Sequence, residues 1–124
     1  MIAGEFTPRY LAAHWAPSLI KKSAPNARLL VMLRDPVDRF VSGMRHKARI
    51  TPKLTAPDAE MHGYRGLYCR QLQAWLNVFP RSQCLILQYE KCKLDPEREL
   101  RRTFEFLGLA SMPLNSFNFK KKII

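Results

Sequence analysis

Two short apolar runs stand out in the hydrophobic pattern of this chain. Residues 28–33 (Arg-Leu-Leu-Val-Met-Leu) hold five consecutive apolar side chains, and residues 84–87 (Cys-Leu-Ile-Leu) hold four. Turn-forming or polar residues flank each run, and neither run alternates between apolar and polar positions. This pattern is typical of strands in a parallel sheet, so both runs predict strands that are buried on both faces.

Between and around these runs the apolar spacing is helical. Asp35 followed by Pro36 is a good helix start, and it predicts a helix over residues 36–48. The apolar residues at i, i+3, i+4 and i+7 that form one face of this helix are Val37, Phe40, Val41 and Met44. Further helices are predicted to start at Thr7-Pro8 and to span residues 18–24, 64–78 and 96–106, the last with Gly108 as its C-cap. Residues 50–62 lack periodicity and contain two prolines, which predicts a mobile surface loop.

The order of these elements predicts the fold class. Strands separated by helices require crossover connections, so the chain is predicted to be α/β with a short parallel sheet flanked by helices. Two parallel strands alone make a poorly covered sheet. We therefore expect a further strand near residues 1–5 and expect that part of the domain lies outside this sequence.

Charge changes the expected function more than it changes the fold. The 124 residues contain 21 Lys and Arg against 10 Asp and Glu, a net charge of +11. This surplus favours an anionic partner, and it is spread over both halves of the chain. The sequence has no run of 18 apolar residues and no signal peptide, so no transmembrane segment is predicted.

The three cysteines, Cys69, Cys84 and Cys92, show no CxxC spacing. Their odd number argues against a disulfide framework, and the lack of matching histidines argues against a zinc site. Cys69 and Cys84 are predicted to be buried free thiols, which weakly favours a reducing compartment.

A candidate anion site follows the first predicted strand. Arg34 ends the strand, and ligands of open α/β sheets bind beyond the carboxyl ends of strands. The N–H groups at the start of the next helix and the guanidinium of Arg34 both suit a phosphate. Ser42 lies about two helical turns further on the same side. The alternative is that Arg34 pairs with a carboxylate such as Asp38 and that Ser42 is a small residue at a helix contact.

Glu5 is a second candidate, because its carboxylate stands just before the helix start at Thr7-Pro8. Such a group can act as a general base. The alternative is a solvated glutamate or one that caps a helix.

Several segments together resemble one family, the sulfotransferases that use 3′-phosphoadenosine 5′-phosphosulfate (PAPS). Residues 28–42 resemble the 3′-phosphate-binding strand and helix of these enzymes. Residues 4–11 (Gly-Glu-Phe-Thr-Pro-Arg-Tyr-Leu) are similar to the Glu-Lys-Ser/Thr-x-x-Tyr segment of the carbohydrate type, which includes heparan sulfate N- and O-sulfotransferases and bacterial relatives. The match continues in order through residues 68–80, 85–90, 95–96 and 106–109.

The resemblance implies a P-loop-type three-layer sandwich, with residues 1–124 as one truncated domain. It implies that Arg34 and Ser42 hold the 3′-phosphate of PAPS and that Glu5 is the catalytic base. It also places His46 near the acceptor, where the alternative is an exposed helix histidine. The implied partners are a nucleotide co-substrate and a glycan or other small acceptor, with no metal and no specific nucleic acid. Lys47 and Arg49 are candidates to meet an anionic glycan, and Tyr68, Trp75 and Phe79 are expected in the core.

Two departures qualify what the resemblance implies. The Lys-x-Gly-Thr-Thr-type loop for the 5′-phosphosulfate has no counterpart in this sequence, and Phe6 stands where the family often has lysine. We therefore expect an interior part of a sulfotransferase domain, a fragment for which activity is predicted of the complete domain rather than of this chain alone. The compartment is expected to be cytoplasmic if the chain is complete and the Golgi lumen if a membrane anchor precedes it. The competing function is a small basic domain that binds nucleic acid or another polyanion, although no RNP, zinc-finger or GXXG motif supports it.

Overall fold

The computed structural model of the protein describes residues 3–110. Within this range two strands and six α-helices follow one another, with single 3₁₀ turns at Tyr10–Ala12 and Arg81–Gln83. The elements in chain order are α1 (Ala16–Ser23), β1 (Leu29–Leu33), α2 (Pro36–Ile50), α3 (Ala56–Tyr64), α4 (Tyr68–Leu76), β2 (Cys84–Gln88), α5 (Tyr89–Leu94) and α6 (Pro96–Leu107). The predicted α/β class is confirmed.

The two strands pair in parallel, as the sequence predicts. Their register runs from Leu29 opposite Cys84 to Leu33 opposite Gln88. The prediction that both strands are buried on both faces is wrong for β1, because Leu30 is 45% exposed and Met32 is 54% exposed. Leu30 and Met32 alternate along β1 and so lie on the same face, which stays exposed in the described part of the chain. Residues 3–5 form no strand, and the rest of the strand expected near residues 1–5 lies outside the described residues.

The main core lies between β2, α1 and α4. Its buried members are Ala16, Trp75, Phe79 and Cys84. The rings of Trp75 and Phe79 stack with their centroids 6.1 Å apart. The Trp75 indole N–H donates a 3.2 Å hydrogen bond to the carbonyl of Leu11, which ties the first 3₁₀ turn to the core. Trp75 and Phe79 are buried as predicted, whereas Tyr68 is half-buried.

Residues 56–64 form helix α3, so the loop predicted over residues 50–62 is wrong in its second half. Thr55 and Asp58 make a capping box, in which the Thr55 hydroxyl accepts from the Asp58 N–H and the Asp58 carboxylate accepts from the Thr55 N–H. Pro57 lies in the first turn, where a missing N–H costs nothing. The proline that indicated a loop is therefore compatible with a helix start.

Three further differences are local. The helix predicted over residues 64–78 begins only at Tyr68, because a turn through Gly66 separates α3 from α4. The six-residue helix α5 was not predicted, since so short a segment carries little periodicity. Cys69 is exposed, contrary to the prediction, while Cys84 is buried and all three cysteines are free thiols. Burial raises the pKa of the Cys84 thiol.

Helix α6 begins and ends as the sequence predicts. The Asp95 side chain accepts a 3.0 Å hydrogen bond from the Arg98 N–H at its start. Gly108 ends it in the left-handed conformation at φ 68°, which glycine adopts without steric cost. The Arg28 guanidinium donates to the Phe106 carbonyl at 2.6 Å and so joins the end of α6 to the beginning of β1.

Candidate functional site

Arg34 lies directly after β1, at the carboxyl end of the sheet, and its guanidinium forms no ion pair with a carboxylate of the described residues. The ion pairs of the described residues join Lys47 to Asp58, Arg101 to Glu97 and Arg102 to Glu99. The guanidinium carbon of Arg34 instead lies 4.9 Å from the centroid of the Tyr89 ring. Its Nε is buried and has no hydrogen-bond acceptor among the described residues. The alternative in which Arg34 pairs with Asp38 therefore does not hold.

The beginning of α2 differs from the sequence-based expectation of available N–H groups. The Asp35 carboxylate accepts from the N–H groups of Val37 and Asp38, both at 2.9 Å. Pro36 has no N–H, and the Arg39 N–H already binds the Asp35 carbonyl. The first-turn donors are thus used within the protein, and a negative side chain offsets the positive end of the helix dipole. The helix terminus therefore has no first-turn N–H group left for an anion, and side chains such as Arg34 are the remaining donors.

Glu90 ties the ends of the two strands together. One of its carboxylate oxygens accepts a 2.8 Å hydrogen bond from the Asp35 N–H, across the carboxyl edge of the sheet. This bond and a second backbone donor, the Glu90 N–H, hold the pKa of Glu90 below its usual value, and the nearby Arg34 charge adds to the effect. The segment that follows β2 therefore supplies Tyr89, which supports Arg34, and Glu90, which fixes the backbone beside it.

Ser42 and His46 lie on α2 and are both exposed. Ser42 is seven residues beyond the Asp35 cap, which returns it to the same side of the helix about 10 Å along the axis. His46 lies about one turn further along the helix. No hydrogen bond or ion pair among the described residues joins either side chain to Arg34 or to Glu5.

Glu5 lies in an exposed, irregular segment and is held by two hydroxyl groups. Its Oε1 accepts from the Tyr10 hydroxyl at 2.7 Å and from the Thr7 hydroxyl at 2.9 Å. These hydrogen bonds hold the pKa of Glu5 below its usual value, and the bond from Tyr10 contributes more than the bond from Thr7. Glu5 is thus an ionised carboxylate with an ordered environment, and it does not cap a helix.

Lys47 and Arg49, the basic residues predicted to contact a glycan, differ in whether they form an ion pair within the protein. Lys47 forms a 3.4 Å ion pair with Asp58 of α3, so its charge is partly compensated within the protein. Arg49 is exposed and forms no ion pair in the described range. Of this pair, Arg49 is the more available cation.

The structure thus shows how neighbouring residues hold Arg34 and Glu5. It shows no hydrogen bond or ion pair that joins the four predicted site residues, Glu5, Arg34, Ser42 and His46, to one another. Sequence reasoning missed the supporting residues Thr7, Tyr10 and Tyr89. Thr7 and Tyr10 lie in the segment that resembles the family, but the resemblance gave them no role beyond matching its pattern. Tyr89 could have been found only from its position after β2, next to a strand that ends in arginine.

Two general features of the described residues bear on the kind of protein this is. No group of three His, Cys, Asp or Glu residues between positions 3 and 110 is arranged to hold a metal ion. None of the helices described is long and apolar enough to cross a membrane.

Comparison with known proteins gives consistent matches. Residues 3–121 match the sulfotransferase domain family. Heparan sulfate glucosamine 3-O-sulfotransferase 3B1 of Mus musculus is 33% identical over 124 residues, covering 87% of this chain and 31% of the relative. Heparan sulfate glucosamine 3-O-sulfotransferase 6 of Homo sapiens is 34% identical over 121 residues, covering 87% of this chain and 35% of the relative.

A solved structure shows the same fold. The crystal structure of a sulfotransferase from Alicyclobacillus acidocaldarius superposes with a TM-score of 0.75 at 27% identity, over 91% of this chain and 53% of that one. The chain spans about a third of the length of the curated relatives it matches. A family match over nearly all of its residues, supported by relatives and by a solved structure, shows that the chain belongs to the sulfotransferase family.

Proposed function

We propose that this protein transfers a sulfuryl group from PAPS to a hydroxyl or amine of an acceptor, and that the acceptor is a carbohydrate. Membership of the sulfotransferase family supports the reaction class. The names of the heparan sulfate and carbohydrate sulfotransferase relatives support the acceptor class.

The observation that carries the proposal is the state of Arg34. It is a guanidinium at the carboxyl end of a parallel strand, and in the part of the chain that the structure describes its buried Nε has no acceptor and it forms no ion pair. A guanidinium that forms no ion pair within residues 3–110 and has a buried N–H without an acceptor fits a ligand anion, because a buried polar group without a hydrogen-bond partner is costly. We assign Arg34 and Ser42 to the 3′-phosphate of PAPS, where the guanidinium supplies paired donors and the hydroxyl a further one.

Glu5 is proposed as the base. The oxygen or nitrogen of the acceptor would bond to the sulfur of PAPS while the bond from that sulfur to the 5′-phosphate oxygen breaks, so that adenosine 3′,5′-bisphosphate leaves. The carboxylate of Glu5 would take the proton that the acceptor loses. A carboxylate held ionised by two hydroxyl donors is ready to accept that proton at neutral pH. His46 is proposed to contact the acceptor from α2. No metal is part of the proposed chemistry, and the compartment stays a prediction from sequence.

The test is transfer of radiolabelled sulfate from PAPS to heparan-type and other glycan acceptors. Glu5→Gln keeps the shape of the side chain and removes the base, so kcat is expected to fall by about 10²–10⁴-fold. Glu60→Gln is the matched control, because Glu60 is exposed on α3 and outside the proposed site. Equal kcat values for Glu5→Gln and the wild type would refute the role of Glu5. Transfer to other hydroxyl or amine acceptors but to no glycan would refute the acceptor class.

A second candidate, a polyanion-binding domain, is favoured by the net charge of +11. It is distinguished by oligonucleotide binding measured across salt concentrations. Specific nucleic-acid binding would persist at about 0.2 M salt and discriminate between sequences, whereas a general charge effect loses affinity steeply with salt and discriminates little. We expect the second result.

A further inference from the structure

The carboxylate of Glu5 is bound on one side only. Both hydroxyl donors, from Tyr10 and Thr7, reach the same oxygen, Oε1, at 2.7 and 2.9 Å. Oε2 accepts no hydrogen bond from residues 3–110, and Glu5 itself is exposed. One oxygen is therefore fixed by the protein while the other is open to an incoming group.

Tyr10, one of the two donors, belongs to a segment that contacts the core, whereas Glu5 does not. Tyr10 begins the first 3₁₀ turn, and its ring meets the Trp15 ring edge to face at 6.0 Å. The neighbouring Leu11 carbonyl is held by the indole of Trp75, which is only 6% exposed. The buried core therefore fixes the 3₁₀ turn that contains Tyr10, and Tyr10 in turn fixes Glu5, which lies in an irregular segment.

Thr7 is restricted in a different way. The residue before a proline is confined to extended conformations, and Pro8 follows Thr7. The Thr7 carbonyl also accepts from the Tyr10 N–H at 3.1 Å, so the two donors belong to one turn. The two hydroxyls thus approach Oε1 from a single ordered unit.

We propose that Tyr10 and Thr7 are positioning residues that hold Oε1 of Glu5 and leave Oε2 directed at the proton of the acceptor. This rests on the proposed function, because it takes Glu5 as the base. Catalytic geometry needs such support, since a small misplacement of a reacting group costs a large factor in rate.

The same two bonds set the protonation of Glu5. Hydrogen bonds donated to the charged form favour it, so the pKa of Glu5 lies below its usual value. The pKa of the Tyr10 hydroxyl is raised, first because that hydroxyl is bound to Glu5. The clamp therefore makes Glu5 a weaker base that is fully ionised and oriented.

A purely structural role would also explain the two bonds, by ordering the chain before the 3₁₀ turn. The test separates these roles by following Glu5 itself. The pKa of the Glu5 carboxyl is measured by ¹³C NMR in the wild type, in Tyr10→Phe and in Thr7→Val, with the resonance identified by its loss in Glu5→Gln. Tyr64→Phe is the control, since it removes an exposed tyrosine hydroxyl that forms no hydrogen bond within the described range. The pH dependence of kcat/KM is recorded for the same proteins.

We expect Tyr10→Phe to raise the Glu5 pKa towards the value of a solvated glutamate and Thr7→Val to raise it less. The acidic limb of kcat/KM then moves to higher pH, since the base must be ionised. In Tyr10→Phe, kcat falls by about tenfold with the KM for PAPS unchanged. Tyr64→Phe leaves all of these values unchanged.

An unshifted Glu5 carboxyl in both variants would overturn the clamp, whatever the enzyme does. A shifted carboxyl with unchanged kcat and an unmoved acidic limb would overturn its positioning role. If Glu5→Gln retains wild-type turnover, the proposed base is wrong, and the carboxyl titration still decides whether the clamp exists.

Discussion

At the scale of single residues, the candidate site depends on what surrounds Arg34. Within residues 3–110 its guanidinium forms no ion pair and its Nε lacks an acceptor, and the Tyr89 ring lies 4.9 Å from its guanidinium carbon. The helix terminus beside it is already satisfied by Asp35. We therefore expect any anion at this edge of the sheet to be held by side chains, and we expect Tyr89 to orient Arg34.

Replacing Tyr89 tests this dependence. In Tyr89→Leu the guanidinium loses its aromatic support, and a cation–π contact at a partly exposed position contributes about 0.5–1 kcal/mol. We expect the affinity for adenosine 3′,5′-bisphosphate to fall by about two- to fivefold, as measured by isothermal titration calorimetry. Tyr89→Phe keeps the ring and is expected to keep the affinity. Equal affinities for Tyr89→Leu and Tyr89→Phe would show that the stack does not position Arg34.

The residues that carry chemistry could be predicted where their position in the chain implies their position in space. Arg34 follows an apolar run and precedes an Asp-Pro cap, so its place at the edge of the sheet was predictable. The pairing of Asp35 with Pro36 also predicted an N-cap, and Asp35 does cap α2. The consequence that no first-turn N–H remains for an anion was not predicted. Tyr89 is 55 residues away in sequence, and only the parallel pairing of the strands brings it to Arg34.

At the scale of elements, α2 and α3 pack closely around one histidine. His62 is 7% exposed and faces Gly43 of α2, where an added Cβ would lie 2.4 Å from the imidazole Nδ1. Arg39, which like Gly43 lies on α2, donates a hydrogen bond from its guanidinium to the His62 carbonyl on α3. The contact therefore has room for glycine and for no larger residue at position 43.

Gly43→Ala is expected to destabilise the fold by about 1–3 kcal/mol, the usual cost of overpacking, in spite of alanine's better helix propensity. Gly63→Ala is the matched control, because an added Cβ there meets nothing within 4 Å. It is expected to be neutral or stabilising. Urea unfolding followed by circular dichroism measures both variants, and equal stability would show that the α2–α3 contact is looser than described.

His62 also predicts a pH dependence. Burial lowers its pKa first, the charges of Arg65, Arg39 and Lys47 lower it further, and Asp58 opposes them. The unfolded chain then binds a proton at His62 at a higher pH than the folded chain does. We expect this contribution to stability to be complete above the usual histidine pKa of 6.5 and to be lost as the pH falls below it.

Denaturant unfolding at several values of pH checks the sign. Stability of the wild type is expected to fall between about pH 7.5 and pH 5, and His62→Gln is expected to flatten that slope. His14→Gln, which changes an exposed histidine, is expected to leave the slope unchanged. A wild-type slope that survives in His62→Gln would assign the pH dependence to another group.

Elements were predictable where a local signal agreed with the surrounding periodicity. The Asp-Pro starts of α2 and α6 and the Gly108 end of α6 are of this kind. Helix α3 was missed because residues 50–62 lack periodicity and contain two prolines. The Thr55–Asp58 capping box was not recognised, and a proline in the first turn permits a helix. Its burial comes from contact with α2, which no local pattern contains.

At the scale of the whole molecule, the sequence predicted parallel pairing but not the coverage of the sheet. A continuous apolar run shows that a strand needs cover, and it does not show what supplies that cover. In the described residues α5 and α6 contact β2, while Leu30 and Met32 on β1 remain exposed. The carboxyl edge is complete enough to bring together Arg34, Asp35, Tyr89 and Glu90 from both strands. Binding at that edge therefore tests the fold and the function together.

The most direct measurement is calorimetric titration of the chain with adenosine 3′,5′-bisphosphate and with adenosine 5′-monophosphate. If Arg34 holds the 3′-phosphate, the wild type prefers the bisphosphate. Arg34→Ala then loses about 1.5–3 kcal/mol of its binding, which is roughly tenfold or more in Kd. Arg45→Ala removes one exposed charge from α2 and is expected to retain the wild-type affinity. Equal affinity for the two nucleotides, or equal affinity of Arg34→Ala and the wild type for the bisphosphate, would contradict the assignment of this edge to the PAPS 3′-phosphate.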